Sequence, residues 1–537
     1  MKIAVSQRLG HSLILGLTTV LTAAFPARSA ERIQFFFGPF EPTIYVEDLA
    51  QLVEDGTISD RFRPIADRLG EEQLVNVRSL LSTTFEIDSV MISQFTYGPV
   101  GERLLQQAGQ VVRTDNMLSG SRALRAALIF AAAEEDGLTI LNIIQQFPLE
   151  TIQIDFALLS QIIAENQSIF QLRDEVVAGV REISVEQATE QAIALPDAGA
   201  PHLSGPYSWQ QETLTFQNPG RPEASLADLY LPDVASPPAG GIPLVVISHG
   251  IASDRATFSY LGTHLASHGY AVALVEHAET TAEKFGRFLQ GLEGPPNPTE
   301  LLHRPRDITA ILDELAQLAE TRSDLQQLNL QTVGVLGQSL GGYTVLAAAG
   351  AELDRENLRQ ECEITLERPS VNLSQLIQCQ ILQLPEDVSL AVQDERVIAA
   401  VALNPVTSSL FGENGLAQMQ QPVMVVGSTD DYFAPIVPEQ IIPFTWFEHL
   451  ESYLVIVESG THFSFLGNSE GGTLPVPETL IGPEPELSRA QIQGLSLAFF
   501  NRFLLAQTEQ EAYLSQTYMD TLDQVPFRFN IIQNFFE

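Results

Sequence analysis

From residue 243 onward, short uninterrupted apolar runs alternate with stretches in which apolar residues recur every three to four positions. The runs at 243–248, 270–275, 333–336, 397–403, 422–427 and 453–457 are apolar almost throughout, and each ends at a glycine or a polar turn. That is the pattern of strands buried on both faces. Between them, residues 258–266, 307–315, 343–349 and 489–505 carry a helical period, with Ser488 placed to cap the last of these helices. The alternation predicts an α/β fold, a mostly parallel sheet with helices on both faces. Residues 212–216 and 226–231 precede it as a pair of antiparallel strands. Two connections are too long for simple crossings, 278–303 and 351–393, and the second lies where such sheets accept a lid.

The front of the chain reads differently. Residues 31–187 show three-to-four spacing broken by short glycine or proline turns, which predicts a small, mainly α-helical domain without a catalytic cluster or a repeat. A proline- and glycine-rich linker, 188–210, leads to a catalytic domain at 211–510 and a C-terminal extension at 511–537.

The chemistry is concentrated after three of the predicted strands. Val333-Gly-Val-Leu-Gly-Gln-Ser339-Leu-Gly-Gly runs from strand through a tight turn into a helix, the Gly-x-Ser-x-Gly nucleophile elbow. The turn holds the Ser339 hydroxyl clear of the sheet at a helix N-terminus, with Gly337 and Gly341 leaving room for neighbouring backbone. Asp431 follows the strand at 422–427 and lies four residues before Pro435; Asp430 is the alternative acid. His462 follows the strand at 453–457 on a glycine-containing loop, and an imidazole gains or loses its proton near neutrality. The chain order Ser339, Asp431, His462 suits a nucleophile, acid and base set. The N–H of Leu340 and that of Ile251, in the His249-Gly250-Ile251 turn after residues 243–248, are the candidate oxyanion donors. His249 itself reads as a prop for that turn.

These motifs together resemble an α/β hydrolase of the group around dienelactone hydrolases and platelet-activating-factor acetylhydrolases, covering about residues 205–510. With its front domain, the whole chain resembles cyanobacterial exported hydrolases whose N-terminal domain has no assigned function. Plasma-type acetylhydrolases take their acid from the strand after the nucleophile helix. Here that strand ends at Asn404-Pro405 without a carboxylate, which favours the dienelactone-type acid at Asp431. The resemblance implies a serine esterase working through an acyl-enzyme on lipid-like or small esters, with no cofactor and no metal. A serine peptidase or amidase is the alternative, and an inactive hydrolase-like binding protein a third. Phe285, Phe288, Phe433, Phe463 and Phe465 suit an apolar acyl or leaving group.

Composition adds a compartment. Lys2 and Arg8 precede an apolar stretch at 13–25 and a small-residue run ending at Ser29-Ala30, the layout of a signal peptide at 1–30 cleaved near those residues. The stretch falls short of the about 20 residues a spanning helix needs, so an exported mature chain without a transmembrane segment is expected, either periplasmic or secreted. The two cysteines, Cys362 and Cys379, are then expected to pair, ordering the lid at 351–393. A formal charge of −39 opposes binding to nucleic acid and to anionic membranes. The partner of the front domain is open.

Overall fold

The computed structural model describes residues 29–36, 41–191, 194–195, 200–367, 372–449, 451–469, 478–522 and 525–534. The expected signal peptide therefore lies, but for its last two residues, outside the described residues. The chain divides into two compact units between Ile162 and Ile163.

The first unit combines helices α1 (Val46–Glu54) to α7 (Ile140–Gln145) with a small mixed sheet. Its strands are β1 (Arg32–Phe36), β2 (Thr43–Tyr45), β3 (Val112–Arg113) and β4 (Thr151–Asp155), in the order β2-β1-β4-β3. The sequence reading missed this sheet, because strands of two to five residues are too short to show a period against the surrounding helices. Leu49, Leu52, Phe62, Ala127, Phe147 and Ile152 close its core.

The second unit is built on nine strands: β5 (Trp209–Phe216), β6 (Ser225–Pro232), β7 (Ile242–Ser248), β8 (Ala271–Val275), β9 (Leu328–Gln338), β10 (Val397–Leu403), β11 (Val423–Ser428), β12 (Ser452–Glu458) and β13 (Arg528–Gln533). Their order is β13-β12-β11-β10-β9-β7-β8-β6-β5, parallel from β8 to β12 and antiparallel at both ends. Each central strand is buried on both faces: on β7, Leu244 and Val246 enter one core, Val245 and Ile247 the other. Helices α11 (Glu300–Ala319) and α12 (Leu340–Ala348) pack on the first face, α9 (Ser259–Ser267) and α18 (Glu486–Leu504) on the second. Ser488 does not cap α18. The N-cap is Pro485, and the Ser488 hydroxyl donates to the carbonyls of Ser464 and Pro485 from within the first turn.

Three expected boundaries move. The helical pattern that ended the front domain at 187 belongs to α8 (Phe156–Gln191), which crosses the division at Ile163 and buries Val177 and Val180 in the second unit's core. The linker at 188–210 is partly docked: Gly205 and Tyr207 donate backbone N–H to Ser267 at 2.8 and 3.0 Å. The extension at 511–537 supplies β13, paired with β12 from Tyr453↔Gln533 to Glu458↔Arg528.

The insertion at 351–393 is not a free-standing flap. Helix α13 (Arg355–Glu367) carries Leu358 and Cys362, which join Cys379, Ile381 and Leu384 in the main core, and α14 (Ser374–Gln378) buries Leu376. Cys362 and Cys379 form a disulfide inside it. The insertion at 278–303 holds α10 (Ala282–Leu289), whose entry is tied to the His249-Gly250 turn: Ala252 N–H donates to Thr280 O at 2.8 Å, and Ala282 N–H to Ser253 O at 2.9 Å.

Candidate active site

The elbow sits between β9 and α12, and its geometry follows from crowding. Ser339 has φ 57° and ψ −120°, a left-handed conformation that costs an ordinary residue strain and persists only where its surroundings enforce it. A Cβ on Gly337 would lie 2.1 Å from Gly341 O, and one on Gly341 would lie 2.1 Å from Ser248 O. Only glycine admits this approach of strand, turn and helix.

Around Ser339 the structure brings together residues from two further loops. The His462 ring lies with Nε2 2.8 Å from Ser339 Oγ and Nδ1 2.6 Å from Asp431 Oδ2. A carboxylate only accepts, so Nδ1 carries the hydrogen and Nε2 is left to accept from the serine hydroxyl. The other Asp431 oxygen accepts the N–H groups of Phe433 and Ala434, both at 2.8 Å, which fixes the carboxylate plane. Ser339, Asp431 and His462 are all buried. Asp430, the alternative acid, points elsewhere: half-exposed, it pairs with Arg173 at 3.2 Å.

The His249-Gly250 turn stands against the elbow. A Cβ on Gly250 would meet Ser339 Cβ at 3.3 Å and Gln338 Oε1 at 2.7 Å. Ile251 and Leu340 thus flank the serine from two directions, and among the described residues neither N–H has an acceptor. The ring of His249 is a prop: Nδ1–H donates to Gly250 O at 2.7 Å, and Nε2 accepts the His277 N–H at 3.0 Å. Burial, with His277 and Arg304 nearby, holds this imidazole well below its ordinary pKa, so it stays neutral.

Several residues around the site had no sequence signal. Gln338 donates its amide to His462 O at 3.0 Å, and Asn404, with φ 41°, donates to Thr461 O at 3.1 Å. Asn404 stands where the acid-bearing alternative would put a carboxylate. Beneath the turn lies a buried polar network. His277 pairs with Ser248 Oγ and Asp307, while Asp307 is shared with Arg221 and Asn218. Arg304, fully buried, donates to His249 O, Thr280 Oγ1 and Thr344 Oγ1, and burial pulls its guanidinium down to about 9. Position in the chain could have flagged His277, two residues after β8; Arg304 and Asp307 look like ordinary helix-surface charges.

Of the five phenylalanines, Phe433 and Phe463 pack on the His462 ring, with centroids 5.5 and 5.8 Å away. Phe465 and Phe288 are buried instead, Phe465 among core residues, and Phe285 packs on Phe288. Among the described residues no cluster of histidine, cysteine and carboxylate could hold a metal ion.

Sheet order, strand-end loops and elbow define an α/β hydrolase. Comparison with known proteins agrees: residues 29–155 match a family described as "Alpha/beta hydrolase of unknown function (DUF1400)", and residues 228–293 match "Platelet-activating factor acetylhydrolase, isoform II". The second match runs from within β6 past α10 and includes the His249-Gly250 turn. A platelet-activating factor acetylhydrolase of Cavia porcellus is 28% identical over 155 residues, 23% of this chain and 34% of the relative. That of Canis lupus familiaris is 28% identical over 176 residues, 26% of this chain and 38% of the relative. The chain thus spans little more than a third of the curated relatives it matches. The matched regions are thus similar to an α/β-hydrolase family of unknown function and to platelet-activating factor acetylhydrolases.

Proposed function

We propose that the chain is an exported serine hydrolase that cleaves carboxylic esters through an acyl-enzyme. The observation that carries this reading is the unbroken run from Ser339 Oγ to His462 Nε2 at 2.8 Å and from His462 Nδ1 to Asp431 Oδ2 at 2.6 Å. His462 takes the serine proton as Oγ attacks the ester carbonyl, and Asp431 stabilises the imidazolium that forms. The oxyanion is held by the N–H groups of Leu340 and Ile251, at the open end of α12 and on the propped turn. Collapse transfers the proton from His462 to the leaving alcohol. Water then repeats the cycle on the acyl group, releasing acid and free serine.

For the substrate, the relatives' names point to hydrolysis of an acetyl group from platelet-activating factor, and Phe433 and Phe463 add an apolar wall beside the base. A short acyl ester on a lipid-like or small alcohol fits both. Export is supported by the composition of residues 1–30 and by the disulfide, which needs an oxidising compartment.

Ser339→Ala is expected to lower kcat by about 10⁴-fold or more while leaving the melting temperature close to that of the parent. A nitrophenyl-ester series of increasing acyl length, run beside peptide anilides, reads the substrate class. Activity of Ser339→Ala within about tenfold of the parent would sink the mechanism. Preference for the anilides would move the assignment to a peptidase or amidase.

A further inference from the structure

Helix α8 follows the first matched region and precedes the second, so nothing assigns it a role. Its portion inside the second unit carries one stripe: Arg173, Val177, Val180, Arg181, Ser184 and Gln187, at helical spacing. The two valines are buried in the sheet's core. Of the polar members, Arg173 reaches the acid loop and Arg181 the end of β12 that leads to the base, whereas Ser184 donates to Arg181 O within the helix and Gln187 reaches β13.

Those two loops are already interlocked. Thr429 N–H donates to Val457 O at 3.0 Å, Ser459 N–H to Thr429 Oγ1 at 3.0 Å, and Asp430 N–H to Gly460 O at 2.8 Å. Arg173 closes on this junction from α8: its Nη1 donates to Thr429 O and to Asp430 Oδ1, both at 3.2 Å. One turn earlier, Phe170 lies edge-on to Tyr432 with centroids 6.5 Å apart. Asp431 is therefore bracketed, since the residues before and after it both touch α8. Two turns further on, Arg181 forks onto both carboxylate oxygens of Glu458, the last residue of β12 and four positions before His462. Asn530 of β13 donates to the same carboxylate at 2.8 Å. Gln187 then pairs twice with the Gln533 backbone, at 2.9 and 3.0 Å.

We infer that Arg173 and Arg181 are positioning residues, which set the spacing of Asp431 and His462 by clamping the two loops to α8. The inference rests on the triad reading above. Its consequence is that the catalytic machinery begins within α8, upstream of the linker, in the helix that continues directly from the first unit's last strand. A shift of about 1 Å in such a constellation can cost up to about 100-fold in rate. The clamp touches no substrate, so its loss should appear in kcat and spare KM.

The test uses the full chain with Arg173→Gln, Arg181→Gln and Arg173→Lys. Arg322→Gln serves as the control, because it removes a comparable surface pairing to Glu212 and Asp324 far along the sheet. Ester turnover and the rate at which a fluorophosphonate labels Ser339 are both measured, with melting temperature as the check on folding. Arg173→Gln is expected to lose roughly tenfold or more in kcat and in labelling rate, with KM changed less than about twofold. Arg181→Gln should follow in the same direction. Both Arg173 acceptors are served by one nitrogen, so the ammonium of Arg173→Lys should recover most of the loss. Parental rates in a folded Arg173→Gln, no recovery in Arg173→Lys, or an equal loss in Arg322→Gln would each overturn the inference. A parent that is not labelled at Ser339 would overturn the triad reading itself, and the clamp with it.

Discussion

Asp430 and Asp431 are neighbours with opposite tasks, and the difference is set by which partners each can reach. Asp431 spends one oxygen on two backbone N–H groups and the other on His462, so its charge faces inward with no free rotation. Asp430 answers Arg173 at the surface. Asp431→Asn puts an amide against Nδ1 and favours the tautomer in which Nε2 can no longer take the serine proton. A loss of about 10⁴-fold in kcat is expected. Asp430→Asn keeps the Arg173 bond to Thr429 O and should cost less than about fivefold, because an exposed ion pair contributes little. A reversed ranking in kcat/KM would exchange the two roles. The acid could be read from sequence because the Asp431-to-Pro435 spacing reflects a local turn, which Asp431 Oδ1 itself closes. Gln338 and Arg304 could not, since their roles come from contacts with His462 O and His249 O, distant in the chain. Nothing local distinguishes such a glutamine or arginine from a surface residue.

At the scale of elements, continuous apolar runs located β7 to β12, because a strand buried on both faces has no polar side to blur. Elements defined by a partner were misread. The four short strands of the first unit gain identity only from pairing, and β13 was hidden in what read as an extension. The insertion at 351–393 was expected to be a lid from its length and its place in the sheet, neither of which shows that Leu358 and Cys362 of α13 enter the core. The disulfide accordingly fastens a core-packed segment whose far end is anchored beside the acid, where Ser374 N–H donates to Phe433 O at 2.8 Å. Changing both Cys362 and Cys379 to serine should therefore destabilise the second unit by about 3 kcal/mol, read from the denaturant midpoint. Below that transition, short and long acyl esters should be affected alike. A selective change on long chains would restore the lid that the sequence led one to expect.

For the whole molecule, two large pH effects oppose each other, and their balance is testable. The charge of −39 repels itself, so acid that protonates surface carboxylates relieves strain on the compact state. Against this stand histidines that the second unit holds neutral. Burial, with the guanidiniums of Arg304 and Arg221, keeps His277 well below its ordinary pKa, and burial does the same to His249. His264 is pulled down to about 4 by burial and by neighbouring His268, while its Nε2–H is committed to Pro201 O at 2.9 Å. Between about 4 and about 6.5 the unfolded chain binds a proton on His264 that the folded chain refuses, and as pH falls below about 6.5 the same holds for His249 and His277. Every step down in pH then favours unfolding, by about 1.4 kcal/mol per pH unit for each fully buried histidine. The two effects separate with salt. At about 1 M the Debye length shrinks to about 3 Å and surface repulsion is screened, whereas the buried histidines feel little of it. In high salt the melting temperature is expected to be level from about pH 7 to 8.5 and to fall steeply from about 6.5 toward 4.5. His264→Gln should make that fall shallower by about one proton's worth. A melting temperature that stayed level or rose on acidification in high salt would mean that these imidazoles accept protons in place, and that the network under the His249-Gly250 turn is looser than its hydrogen bonds imply.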